Sequence, residues 1–133
     1  SYTVDLSKVP CGVAACLYFV ANYKPGPDSK YCDIQPGFGG CFELDIMEAN
    51  SHAFEASLHS QKGSGFDSSC NEKGCSLNIG RYPYTLSGAL TKTLYGPGAA
   101  VINTNMAFQV KASLTNDGYL DVTLSQGGGG ASR

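Results

Sequence analysis

Three carboxylic acids fall within six residues in the stretch CFELDIMEAN, Cys41–Asn50: Glu43, Asp45 and Glu48. Leu44, Ile46 and Met47 stand among them, so the acids belong to a segment that otherwise seeks burial. On a strand, residues two apart face the same way. Glu43 and Asp45 then share a face while Leu44 and Ile46 point into the core. Glu48 rejoins the face of Glu43 if a one-residue β-bulge follows Asp45, a distortion common beside active sites. Like charges on one strand face repel, and repulsion with partial burial raises the pKa of at least one acid. One protonated carboxyl and one ionised carboxylate about 5–5.5 Å apart are the equipment of retaining glycoside cleavage. Glu43 and Glu48, at opposite ends of the segment, can span that distance. Asp45 between them would orient the nucleophile by hydrogen bonding. Glu48 is expected to carry the raised pKa and Glu43 to stay ionised. Two other readings fit the same acids. One is a solvated strand face. The other is a calcium site, the weaker because the glycine-bearing loop of an EF-hand is missing.

The elements that must position these acids read as strands. CLYFVANY (Cys16–Tyr23) is rich in aromatic and β-branched residues. KPGPDSK (Lys24–Lys30) is a loop by its prolines and glycine. CFELDIME (Cys41–Glu48) is the next strand, and a long irregular stretch from Ser51 to about Thr91 follows. In MAFQVKASLT (Met106–Thr115), Phe108, Val110, Ala112 and Leu114 share one face and Gln109, Lys111 and Ser113 the other. Asn116–Gly118 is a hairpin turn signal, and in YLDVTLSQ (Tyr119–Gln126) the alternation resumes. The fold class is all-β with two packed sheets. Residues 1–126 form a single domain, and the Gly-rich 127–133 a flexible tail.

Composition narrows the partners. The chain has 133 residues, a net charge of −2 and 15% charged residues. It lacks the basic stripe that a nucleic-acid backbone requires, and no apolar run approaches the ~20 residues of a membrane span. Six cysteines, with no C-x-x-C and two histidines off zinc-finger spacing, point to disulfides in an oxidising compartment rather than to a metal. No signal-peptide pattern opens the chain, which reads as mature or trimmed.

ELDIMEAN (Glu43–Asn50) closely resembles the catalytic strand of glycoside hydrolase family 7, the cellobiohydrolases and endoglucanases acting on β-1,4-glucan. VDLSKVPCG and LYFV (Val4–Gly12, Leu17–Val20), YCDIQ (Tyr31–Gln35), LYGPG (Leu94–Gly98) and the following hairpin extend the similarity, which covers most of Val4–Gln126. The resemblance is to the middle of the family's catalytic domain. It implies a jelly-roll-like β-sandwich of two antiparallel sheets, truncated relative to the family, whose concave face forms a glycan cleft. It implies a secreted retaining enzyme that needs no cofactor or metal and takes β-glucan or cello-oligosaccharides. Glu43 would be the nucleophile, Asp45 its assisting acid, Glu48 the general acid/base and His59 the active-site histidine. Tyr18, Tyr31, Asp33 and Gln35 would line the subsites beside the cleavage point. Cys32 and Cys41 match a family disulfide. Cys70 and Cys75 are expected to pair with each other, and the spacing of Cys11 and Cys16 permits a local bridge. His52 has no family counterpart and reads as a surface residue.

Two departures bear on function. The chain has no tryptophan, and Met47 stands where the family usually has a stacking tryptophan before the acid/base. The strands on either side of the matched portion are missing. A non-catalytic carbohydrate-binding or structural wall protein on the same partial fold, and a family-16-like β-glucanase, are the alternatives.

Overall fold

The computed structural model describes residues 1–21, 31–35, 40–60, 74–79, 93–117 and 119–127. Nine strands lie among these residues: β1 (Tyr2–Val4), β2 (Ala15–Val20), β3 (Glu43–Ala49), β4 (Phe54–His59), β5 (Cys75–Ile79), β6 (Tyr95–Gly96), β7 (Ile102–Asn103), β8 (Phe108–Leu114) and β9 (Leu120–Ser125). The chain is all-β, as its composition and alternation imply. It divides into two compact units, one of Ser1–Ala15, Glu48–Phe54 and Asn78–Arg133, the other of Cys16–Met47 and Glu55–Leu77. The Lys24–Lys30 loop and, beyond Gly127, the C-terminal tail lie outside the described residues.

In the first unit, β1, β8 and β9 form an antiparallel sheet in the order β1-β8-β9. The expected hairpin forms, with Leu114 opposite Leu120, and the Thr115 N–H donates to the Tyr119 carbonyl at 2.8 Å. Phe108 and Val110 are buried while Gln109 and Lys111 are exposed, as a period of two requires. Burial fades toward the turn, and Leu114 at the strand's end is 66% exposed. Tyr95 is the centre of this unit's core. Its ring stands edge-on to Phe54 at 6.3 Å and to Phe108 at 6.0 Å between centroids. Its hydroxyl, which burial would otherwise leave unpaired, donates to the Asn50 carbonyl at 2.9 Å. Gln126 closes the far end of β9 by donating Nε2 to the carbonyls of Asn103, Met106 and Ala107.

In the second unit the strand order is β2-β3-β4-β5. β3 is therefore interior to the sheet. Asp45, Ile46 and Met47 are buried in succession, whereas Leu44 is only half-buried. This corrects the expectation that only Leu44 and Ile46 point inward: a strand covered on both faces shows no in–out alternation. β4 and β5 are a second correction, since both fall in the stretch read as irregular from Ser51 onward. The segment FEASLH carries Ala and two small or polar neighbours of weak strand preference, so pairing with β3 decides its conformation.

Candidate active site

Asp45 sits at the middle of β3 with 3% of its surface exposed. A carboxylate so removed from water needs a partner. His59, the last residue of the adjacent strand β4, supplies one: its Nε2 lies 3.0 Å from the Asp45 Oδ2. The imidazole can donate an N–H to the carboxylate whether it is neutral or charged.

Glu43, two residues earlier on β3, is half-buried, and its Oε2 accepts the Ile34 N–H at 3.4 Å. Burial raises the pKa of Glu43, and the Asp45 carboxylate adds to the rise. The Ile34 N–H opposes it, Asp33 pushes further up and His59 pulls down. The pKa of Glu43, the acid expected to stay ionised, is thus moved upward. Its depth in the sheet and the neighbouring acids outweigh one long hydrogen bond. The Ile34 amide had no signal in the sequence, because a backbone donor can come from any residue type.

The segment Tyr31–Gln35 lies beside this pair. The Tyr31 hydroxyl donates to the Tyr18 hydroxyl, on β2, at 2.9 Å. Burial and this bond hold the Tyr31 hydroxyl well above the ordinary tyrosine range, with Asp33 and Glu43 contributing in the same direction. Tyr31 therefore stays a neutral hydroxyl. Asp33 is buried; its Oδ1 accepts the Gln35 N–H at 2.7 Å in an Asx-type turn, and its carbonyl accepts the Cys41 N–H at 2.7 Å. Gln35 itself is exposed. Glu43, Asp45, His59, Tyr18, Tyr31, Asp33 and Gln35 all belong to the second unit. Glu48 is half-buried near the end of β3, in the portion of the strand assigned to the first unit.

A disulfide joins Cys32 to Cys41, with Cα atoms 5.6 Å apart and both residues fully buried. It ties the Tyr31–Gln35 segment to the entry of β3. Closing a loop of this length is worth about 2–3 kcal/mol in the chain-entropy account. The double variant Cys32→Ser/Cys41→Ser is expected to lose that much in urea unfolding. An unchanged midpoint would show that the bridge does not hold the segment. Cys75 is also disulfide-bonded, while Cys70 lies outside the described residues. Cys11 and Cys16 are not joined to each other, so the local bridge their spacing permits does not form.

No family model matches the chain. Among curated proteins it is 30% identical over 142 residues to Endoglucanase EG-1 of Hypocrea jecorina, covering 88% of this chain and 28% of that protein. To Endoglucanase EG-1 of Humicola insolens it is 30% identical over 146 residues, covering 83% of this chain and 32% of that protein. Among solved structures, the Humicola insolens endocellulase EGI superposes with a TM-score of 0.62 at 26% identity, covering 95% of this chain and 40% of that one. A family 7 cellobiohydrolase from Daphnia pulex gives a TM-score of 0.60 at 20% identity, covering 96% and 42%, and shares the fold. The chain thus spans about a third of the length of the curated relatives it matches.

Proposed function

We propose, from the premise that the chain is a homologue of part of the glycoside hydrolase family 7 cellulases, that it is a secreted retaining β-1,4-glucan hydrolase. Glu43 attacks the anomeric carbon and Glu48 protonates the departing oxygen, then deprotonates the incoming water. Asp45 and His59 hold Glu43 in its reactive position. Tyr18, Tyr31, Asp33 and Gln35 line the subsites beside the cleaved bond, where hydroxyls and a buried carboxylate suit the hydroxyls of a sugar ring. The observation that carries this reading is the buried Asp45–His59 pair, 3.0 Å apart, two residues along β3 from an acid whose ionisation burial opposes. A solvated strand face would have neither the burial nor the partner. The cysteine bridges suit an oxidising, extracellular setting.

The test is hydrolysis of a soluble cello-oligosaccharide followed by proton NMR of the first product formed. Retention gives the β-anomer initially, with the α-anomer growing in only by mutarotation. An initial α-anomer would overturn the retaining mechanism. Binding without any release of reducing sugar would favour a non-catalytic carbohydrate-binding protein, a reading that the absence of tryptophan and the partial span of the relatives motivate. Faster cleavage of mixed-linkage or β-1,3-glucan would assign a family-16-like specificity instead.

A further inference from the structure

We infer that Gly74 is a positioning residue of the acid cluster: its bare backbone is the wall against which the His59 ring lies, and this wall keeps Nε2 on the Asp45 carboxylate. A Cβ placed on Gly74 would lie 2.5 Å from His59 Cε1, 2.7 Å from Nδ1 and 3.1 Å from Nε2. Carbon atoms in good contact stand about 3.5–4.0 Å apart, so a single methyl group here must displace the ring. The ring has little choice of where to go. His59 and Asp45 side chains are 17% and 5% exposed, and Nε2 is held at 3.0 Å from the carboxylate.

The glycine is equally constrained from its own side. Gly74 has a φ of +80°, a conformation that side chains other than hydrogen rarely adopt. The next residue, Cys75, is disulfide-bonded and opens β5, whose sheet neighbour β4 carries His59 at its end. Bridge and strand together hold the backbone of Gly74 against the ring. The consequence for the ring is independent of any activity. The consequence for turnover rests on the glycosidase reading above, because it runs through Asp45 to Glu43.

Backbone strain and ring displacement can be separated within this chain. Gly12 has the same φ of +80° but no atom within 4 Å of a Cβ placed on it. Gly12→Ala therefore carries the strain without the clash. The chain has two histidines, so the His59 imidazole nitrogens are readily assigned by 15N NMR with His52→Gln as reference. Gly74→Ala is expected to move the His59 Nε2 resonance and to lower kcat/KM by about 100-fold, the cost of an ångström-scale misplacement. Gly12→Ala should change neither. In a His59→Ala background the new methyl group occupies the space the ring has left, so adding Gly74→Ala should change kcat/KM by no more than about 2-fold, a strongly non-additive cycle. Should Gly74→Ala fail to fold, folding of the Gly74→Ala/His59→Ala protein supports the clash. Failure of that double variant under conditions where His59→Ala alone folds overturns it, since strain alone would then be the cause. A His59 resonance unmoved by Gly74→Ala also overturns the inference. So does a loss of activity as large in the His59→Ala background as in the natural one. Wild-type protein without glycosidase activity would count against the functional reading, and the His59 resonance would still decide the role of Gly74.

Discussion

Glu43→Gln is expected to abolish glycosyl–enzyme formation and to lower turnover of cello-oligosaccharides by at least about a thousand-fold, as removal of a covalent nucleophile does elsewhere. Incubation of the unaltered protein with an activated 2-fluoro-glycoside should add one fluorosugar mass to the peptide that contains Glu43, with loss of the leaving group. The variant should take up none. A label on any other residue would reassign the nucleophile. The same substitution has a second expected result, because burial and Asp45 raise the pKa of Glu43 above its ordinary value of 4.5. Below that value Glu43 is protonated folded and unfolded, and it contributes no pH dependence. As pH rises from there through the raised pKa, the unfolded chain ionises first and the folded state loses stability relative to it. Glutamine cannot ionise, and its amide oxygen can still accept the Ile34 N–H that Glu43 Oε2 accepts. The variant should therefore match the natural protein in acid and unfold at higher urea concentration near neutral pH. An equal urea midpoint at both pH values would mean that Glu43 ionises in the fold without penalty.

Glu48→Gln should divide substrates by leaving group. Cellobiosides with poor leaving groups need a proton on the departing oxygen, and their cleavage should slow by about 100- to 10,000-fold, the range for loss of a general acid. Aryl glycosides with acidic phenols leave unaided, so the first step on them should be nearly spared. The glycosyl–Glu43 ester then accumulates, because no base remains to take a proton from the attacking water. Azide needs no deprotonation. It should attack the anomeric carbon, expel the Glu43 carboxylate and release the β-glycosyl azide, restoring turnover on the activated substrates. Equal slowing of both substrate classes, with no glycosyl azide by mass spectrometry, would remove Glu48 from the acid/base role.

Several elements of this protein are legible in its sequence. The Phe108–Leu114 and Leu120–Ser125 hairpin is written in plain alternation around Asn116–Gly118, because the apolar positions are more covered than the polar ones over most of both strands, fully in the first half of Phe108–Leu114 and partly in Leu120–Ser125. The spacing of Glu43, Asp45 and Glu48 is as plain, and their placement along one strand needs only local backbone geometry. β4 is less legible, because Ala56, Ser57 and Leu58 state no strong preference of their own and the neighbouring β3 imposes the strand.

What the sequence determined by itself is therefore the all-β character, the principal hairpin and the acids that share β3. These depend on periodicity and on residues near one another in the chain. Only the tertiary structure decided the partners and the electrostatics. Asp45 gains His59 from the adjacent strand, Glu43 gains an amide from Ile34 across the disulfide-tied segment, and Gly74 comes to rest on the His59 ring. A pKa is set by burial and by charges close in space. Burial and the nearby Asp45 carboxylate raise the pKa of Glu43, an effect of its surroundings in space that its place in the motif does not carry.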